Sequence, residues 1–325
     1  MALVSVVTPF YNTALYLEEC IESVLGQTFG DFEYVLVDNH STDESYAIAE
    51  RYAARDARIR LFKNEKFVGQ VENYNGALAR IANDTRFVKI VQADDAILPD
   101  CLRAMSEVGQ RDERIGIVSS YYLKGDVPTG SGVPRSVWRV PGRDVLRTIM
   151  IGNAFPLGSP TTVLYRADIV RSRTPFYELG RYHEDTEKAC QILLEHDLGY
   201  VPQILSFLRT DNESIMSAAR RFNPVPLDHL ILLERFGRQV LSAEEFERQS
   251  SAEWRAYWGF LGASLLAGRG PEFWNYHRRG LNTIGRSLSK RDLLVPTLKQ
   301  FSRMALNPLQ TAEGGFRVLR ANRGK

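Results

Sequence analysis

Two adjacent carboxylates, Asp94 and Asp95, follow directly on an apolar run in "RFVKIVQADD". Side by side they repel, and ionising both is costly unless a cation or hydrogen-bond donors compensate. A hard divalent ion is a natural compensator, held by one or two carboxylates with phosphate oxygens and water completing its octahedron. The alternative is that they simply precede a helix, although Asp100 lies closer to that helix start. A second pair, Asp38 and Asn39, closes the run "EYVLV". A carboxylate and an amide there could read a nucleobase edge or a ribose hydroxyl, or could form an Asx turn. A third pair, Glu184 and Asp185 in "YHEDTEKACQILLEH", opens an amphipathic helix. Acids are favoured in a first helical turn on electrostatic grounds alone. His183 and His196 read most simply as partly exposed histidines. In "FLRTDNES", Arg209 could face phosphate and Asp211 a metal or hydroxyl, or the two could be a surface ion pair and a turn.

These residues sit where an alternating chain would gather them. "LVSVVT" (Leu3–Thr8) is a continuous apolar, β-branched run, the pattern of a strand buried on both faces. Thr13 can cap a helix to about Gln27, with Leu17, Cys20, Ile21, Val24 and Leu25 on one face. Further strands are expected at Glu33–Val37, Ile59–Phe62, Arg86–Val91 and Ile115–Ser120. Helices are expected between them, one capped by Asp43, one from about Val71 to Ala82 and one opened by Pro99. Strand and helix in alternation imply a mostly parallel sheet with helices on both faces, and ligands of such sheets bind beyond the carboxyl ends of the strands. Thr8–Asn12, Asp38–Asp43 and Gln92–Asp95 therefore converge, although they are remote in sequence. Lys124 to Pro160 reads as loops with a helix near Arg143–Ile151, and after about Pro224 the pattern is helical.

The composition is that of an ordinary globular protein: 325 residues, 44% hydrophobic, 25% charged, net charge +2. It excludes disordered and low-complexity classes. Three cysteines, Cys20, Cys101 and Cys190, lie in apolar stretches, form no zinc spacing and read as buried thiols of a reducing compartment. No Gly-x-Gly-x-x-Gly follows the first strand, and no Gly-x-x-x-x-Gly-Lys-Ser/Thr occurs, which disfavours dinucleotide binding and excludes a P-loop. The N-terminal run has no basic flank, and the longest weakly apolar stretch, Ala256 to Gly268, is too short to span a bilayer. A cytoplasmic location is expected. From Arg269 onward, twelve basic residues face three acidic ones, a net of +9, so the rest carries −7. With the aromatic clusters Trp254, Tyr257, Trp258, Phe260 and Phe273, Trp274, Tyr276, this basic end suggests peripheral contact with an anionic inner membrane face. The alternative is that the aromatics pack internally. No motif points to specific nucleic-acid binding.

Together the segments "VSVVTPFYN", "LEECIESVLGQTFGDFEYVLVDNHSTDES", "VGQVENYNGALA", "VQADDAILPDCL", "HEDTEKACQILL" and "LRTDNES" resemble, in order and spacing, the family 2 inverting glycosyltransferases. The resemblance covers about residues 3–212. It implies a GT-A fold, an α/β architecture with a mostly parallel central sheet flanked by helices. It implies a catalytic domain over 1–223, with a nucleotide-sugar half to about 120 and an acceptor half after it. Residues 224–325 would be a helical, basic C-terminal extension.

The resemblance also assigns roles. Pro9, Tyr11, Asp38 and Asn39 match the nucleotide pocket, Asp94 faces ribose or metal, and Asp95 is the metal carboxylate of the Asp-x-Asp element. Asp185 matches the general base and Arg209 a basic residue near the diphosphate. Ser159, Thr161, Thr162 and Glu184 are the expected acceptor contacts. Three positions depart from the common pattern: Gln92 and Asn39 stand where Asp is usual, and Asp211 where His is frequent, leaving it as an extra metal ligand or nothing. The expected cofactor is Mn²⁺ or Mg²⁺. The expected partners are a nucleotide-diphospho-sugar donor and a glycan or lipid-linked acceptor, in bacterial-type surface polysaccharide or glycolipid assembly. The competing readings are a catalytically impaired sugar-nucleotide-binding or scaffolding protein, and a nucleotidyltransferase, whose Gly-rich basic loop is missing here.

Overall fold

The apolar runs become strands because their alternating side chains find cover on both faces of a sheet. In the computed structural model, which describes residues 2–130, 132–152, 155–180, 183–210 and 221–306, β1 (Val4–Phe10) is buried at all seven positions. Its neighbours β2 (Phe32–Asp38), β3 (Ile59–Lys63) and β4 (Phe87–Ile90) run parallel to it in the order β3-β2-β1-β4. Helices α1 (Ala14–Leu25), α2 (Ser45–Ala53) and α3 (Gln70–Leu78) make the crossovers. Leu17, Cys20, Ile21 and Val24 of α1 pack in one cluster with Val4, Val6, Tyr34 and Leu36 of the sheet.

The sheet then departs from simple alternation. Beyond β4 come β5 (Ala96–Ile97), α4 (Cys101–Gln110), β6 (Ile115–Lys124), β7 (Val127–Thr129), β8 (Arg139–Val140), α5 (Gly142–Met150), β9 (Val163–Arg166), α6 (Ala167–Arg171), α7 (Glu184–Leu193) and β10 (Asp197–Leu208). The strand order is β3-β2-β1-β4-β9-β6-β10-β5. β6, the fifth strand read from sequence, does not pair with β4. β9 lies between them, antiparallel to both, with Lys89 opposite Leu164 and Val118 opposite the same Leu164. β10 returns to run parallel to β6.

The first helix starts differently from the sequence expectation, while Asp43 serves the second as expected. The Thr13 hydroxyl caps nothing and is buried without a hydrogen bond. Instead the Asp43 carboxylate accepts from the Ala14 N–H at 3.1 Å and from the Ser45 N–H at 3.0 Å. One side chain thus satisfies orphan donors at two helix N-termini, where its charge is also favoured.

The chain divides into two units, Met1–Ser214 and Ile215–Lys325. The second contains helices Val225–Val240, Ala243–Leu266, Pro271–Asn282 and Lys290–Leu306. Here the aromatic clusters turn out to be core. Tyr257 and Phe273 are buried, and Trp254, Trp258, Phe260, Trp274 and Tyr276 pack against them. These rings pack against one another within the helical unit, the alternative that the sequence also offered. His277 lies wholly inside this core, with ring nitrogens 2.9 Å from the Tyr257 hydroxyl and 2.8 Å from the Phe222 carbonyl. Burial pulls its pKa down to about 4. The three cysteines are buried free thiols, and no helix among the described residues is long and apolar enough to cross a membrane.

Candidate active site

The carboxyl ends of β1, β2 and β4 deliver the first group of candidates. Pro9 is buried in β1 opposite Val37, so it shapes the strand that leads to Tyr11. Asp38 ends β2 fully buried. Its Oδ1 accepts from the Ser41 N–H at 3.0 Å. Its Oδ2 has no hydrogen bond, and its nearest cation, the Lys63 ammonium, stands 3.8 Å away. A buried acceptor left open at a strand end is a costly arrangement in the free protein.

Asn39 behaves differently from the sequence expectation. Its amide donates to the Val68 carbonyl at 2.8 Å and accepts from the Val68 N–H at 3.0 Å and from Asn64 at 3.0 Å. The side chain is occupied with its own chain, so it holds the loop after β3 rather than reading a ligand. That loop carries Phe67, whose ring centroid lies 4.7 Å from that of Tyr11. Both rings are exposed, at 56% and 42% respectively. Sequence reasoning missed Phe67. The available signal was a lone aromatic in the polar stretch "NEKFVG".

The turn after β4 sets the acidic pair. The Asp95 N–H closes it on the Gln92 carbonyl at 3.0 Å. The Asp95 carboxylate is held from two sides, by the Thr161 hydroxyl at 2.6 Å and by the Arg209 N–H at 3.1 Å. Burial, and then the adjacent Asp94 charge, push the Asp95 pKa up to about 7 against those donors. The Arg209 guanidinium donates to the Asp94 carbonyl at 3.1 Å and to Glu19 at 2.6 Å, and lies 4.7 Å over the Tyr16 ring. Arg209 therefore ties β10 and α1 to the acidic turn.

The third group lies at the start of α7. Glu184 and Asp185 occupy its first turn, and Asp185 accepts from the Thr186 N–H at 2.7 Å. Burial raises the Asp185 pKa, against the Thr186 N–H and the nearby His183 charge.

Consecutive residues of α3 reach toward the neighbourhoods of these groups. Asn73 accepts from Asn64 at 2.9 Å, and Asn64 in turn donates to Asn39 beside Asp38. Tyr74 is buried, and its phenol pKa is raised by burial and then by the charges of Asp94 and, more weakly, Glu184. Asn75 bonds both backbone groups of Tyr177, whose phenol feels the Asp185 charge. Successive helical side chains point about 100° apart, so one turn of α3 reaches three directions. The sequence reading assigned none of these residues a role, since two Asn and a Tyr look like ordinary helix surface.

Two acceptor candidates are corrected. Thr161 and Thr162 are completely buried. The Thr161 hydroxyl serves Asp95 and accepts from the Gln92 N–H at 3.1 Å, while Thr162 bonds the carbonyls of Leu157 and Ser159. Neither hydroxyl is left for an acceptor. Ser159 keeps a buried hydroxyl without a hydrogen bond, and Asp211 lies outside the described residues.

Among the described residues no three His, Cys, Asp or Glu side chains gather as a ready metal cage. The donor set nevertheless suits a hard divalent ion. Asp95 is held by two hydrogen bonds, burial and then the Asp94 charge raise its proton affinity, and one or two carboxylates suffice when phosphates supply the remaining ligands.

A mostly parallel sheet flanked by helices, with an acidic turn after β4 and an acidic start to α7, is a GT-A type fold. The Glycosyl transferase family 2 signature covers residues 5–174, and the chain belongs to that family. Glycosyltransferase GlyG of Streptococcus pneumoniae is 32% identical over 120 residues, 37% of this chain and 39% of that protein. The chain thus spans well under half the length of this relative. Among solved structures, S. aureus TarS in complex with UDP-GlcNAc matches with a TM-score of 0.63 at 20% identity, over 90% of this chain and 83% of that one. Mannosyltransferase PcManGT from Pyrobaculum calidifontis, in complex with GDP-Man and Mn²⁺, matches with a TM-score of 0.55 at 19% identity, over 95% and 82%. At such identities these structures establish the fold.

Proposed function

We propose that the chain transfers a sugar from a nucleoside-diphosphate donor to an acceptor hydroxyl with inversion at the anomeric carbon, in the assembly of a surface glycan or glycolipid. The observation that supports this reading is the placement of Asp38 at the end of β2 and of Asp95 in the turn after β4, with α3 bonded through Asn73 and Asn64 to Asn39 beside Asp38 and through Asn75 to Tyr177 in the segment before α7. The open Oδ2 of Asp38 suits a base N–H, and the exposed Tyr11–Phe67 pair offers the base an apolar face. Asp95, with Asp94, would hold Mn²⁺ or Mg²⁺, which neutralises charge on a departing diphosphate when bound. Asp185, with its raised proton affinity, takes the proton of the acceptor hydroxyl as that oxygen attacks from the face opposite the leaving group. The complexes of TarS with UDP-GlcNAc and PcManGT with GDP-Man support a nucleotide-sugar donor, and the Mn²⁺ of the latter supports a cation.

The test is a thermal-shift series with UDP-, GDP- and dTDP-sugars, with and without Mn²⁺. One nucleotide should raise the melting temperature, and more so with the ion. No shift with any donor would count against the reading. Binding without turnover would favour an impaired sugar-nucleotide-binding protein, the alternative that Gln92 motivates.

A second feature favours contact with an anionic membrane surface, as a lipid-linked acceptor would require. Helix Lys290–Leu306 leaves Leu294, Leu298 and Phe301 exposed at positions i, i+4 and i+7, one face of a helix. Arg291 is exposed beside them, and the whole segment from Arg269 carries +9. An apolar face in a basic segment is the pattern of an interfacial helix. The protein should co-sediment with phosphatidylcholine–phosphatidylglycerol vesicles at low salt and not with phosphatidylcholine alone. The variant L294S/L298S/F301S should stay in the supernatant. Equal sedimentation of the variant, or none of the wild type, overturns this reading, as does a dimer that only the variant dissolves.

A further inference from the structure

Lys89 is a charged residue in the centre of the sheet. It sits on β4 between Val6 of β1 and Leu164 of β9, with no exposed surface. Every neighbouring position in "FVKIV" is apolar, and an apolar residue would fill the site without a charge to bury. Burying an ammonium is expensive unless all its protons are taken. Here they are. Nζ donates to the Thr161 carbonyl at 2.6 Å and to the Val163 carbonyl at 3.3 Å, and the Met105 sulfur lies at 3.6 Å.

The carbonyl that Lys89 binds most closely belongs to the residue that holds Asp95. Thr161 is gripped at both ends. Lys89 fixes its carbonyl, and the Gln92 N–H donates to its hydroxyl oxygen at 3.1 Å. With that oxygen accepting, the hydroxyl proton is directed to Asp95 Oδ2 at 2.6 Å. Lys89, Thr161 and Asp95 form one buried hydrogen-bonded chain, and such chains rigidify what they hold.

We propose that Lys89 is a positioning residue for the cation. Acting through Thr161, it fixes the Asp95 carboxylate so that its remaining lone pairs face a divalent ion at the strand rim. The proposal rests on the reading of Asp95 as cation ligand given above, but assigns a function to a residue outside the rim. It also accounts for a lysine at a position where the sheet alone would favour valine or isoleucine.

The experiment is a titration of Mn²⁺ into the full-length protein in the presence of UDP or GDP, read by electron paramagnetic resonance of the free ion. The proteins compared are wild type, Lys89→Met, Thr161→Val, Thr161→Ser and the double variant Lys89→Met/Thr161→Val. Methionine keeps the length of lysine without its charge or donors. Lys89→Met and Thr161→Val should each weaken Mn²⁺ binding by roughly 10–100-fold, the range for residues that orient a metal ligand. Thr161→Ser, which keeps the hydroxyl, should bind like wild type. The double variant should be no worse than the poorer single one, because both break the same chain. Additive losses, or wild-type affinity in folded Lys89→Met, overturn the proposal. If Lys89→Met does not fold, wild-type affinity in Thr161→Val overturns it instead. Failure of the wild type itself to bind Mn²⁺ would overturn the cation reading of Asp95, a separate result.

Discussion

Asn75 and Tyr177 lie 102 residues apart, yet one amide side chain bonds both backbone groups of the other residue. Nδ2 donates to the Tyr177 carbonyl and Oδ1 accepts from the Tyr177 N–H, each at 2.8 Å. The pairing reproduces a step of β-ladder between a helix and a distant loop. It fastens the segment before α7 to the same helix that contacts the acidic turn. Asn75→Leu keeps the bulk and removes both bonds. The expected cost is about 1–3 kcal/mol of stability, seen as a lower urea midpoint. Turnover should fall more than donor affinity does, because Tyr177 leads toward α7 and the proposed base Asp185, not toward the proposed nucleotide pocket.

Asp185→Asn should separate binding from chemistry. The amide is isosteric with the carboxylate but cannot accept the acceptor's proton. Transfer is expected to drop by roughly 10²–10⁴-fold, the usual contribution of a positioned base, while the donor thermal shift persists. Full transfer activity in this variant would remove Asp185 from that role.

Asp95 makes the protein sensitive to pH in a defined direction. Its carboxyl holds a proton more tightly folded, with a pKa of about 7, than unfolded, where it is 3.8. The stability it contributes is therefore complete below the unfolded value and disappears as pH rises through about 7. Asp185 shifts in the same sense. Cation binding runs oppositely, since a ligand must be ionised, so Mn²⁺ affinity should be roughly tenfold weaker at pH 6 than on its alkaline plateau. Melting curves and Mn²⁺ titrations across pH 5–9 read the two trends together. A flat Mn²⁺ affinity would contradict the assignment.

The helical unit depends on a close approach at Gly262. A β-carbon there would stand 2.9 Å from the Pro296 carbonyl carbon and 2.9 Å from the Thr297 nitrogen, both backbone atoms that cannot rotate away. Gly262→Val should cost about 1–3 kcal/mol by overpacking and lower the unfolding midpoint. Unchanged unfolding would mean that helix Lys290–Leu306 does not pack here.

The strands were legible because a run buried on both faces has a strong signature, and α1 was legible from its apolar spacing. The placement of Asp38 at the end of β2 and of Asp95 just beyond β4 was legible from the strand ends, whereas Asp185 was named through the resemblance alone. Other features had no local signature. Thr161 looked like an acceptor contact because nothing in "SPTTVLY" reveals that its hydroxyl turns inward to Asp95. Asn39 looked like a base reader because its partner, Val68, lies across a loop closure invisible in sequence. The tryptophans and tyrosines after residue 254 carried a real apolar signal, but such a signal does not say whether the covering surface is lipid or another helix.

The insertion of β9 between β4 and β6 bears on how such enzymes can be recombined. A strand from the later half is stitched into the middle of the earlier one, hydrogen-bonded on both edges. Swapping everything after residue 120 for a homologue's sequence would therefore exchange a central plank of the sheet, and with it the threonine behind Asp95. A chimera that keeps the backbone of that strand and the turn before it preserves the sheet on both of its edges.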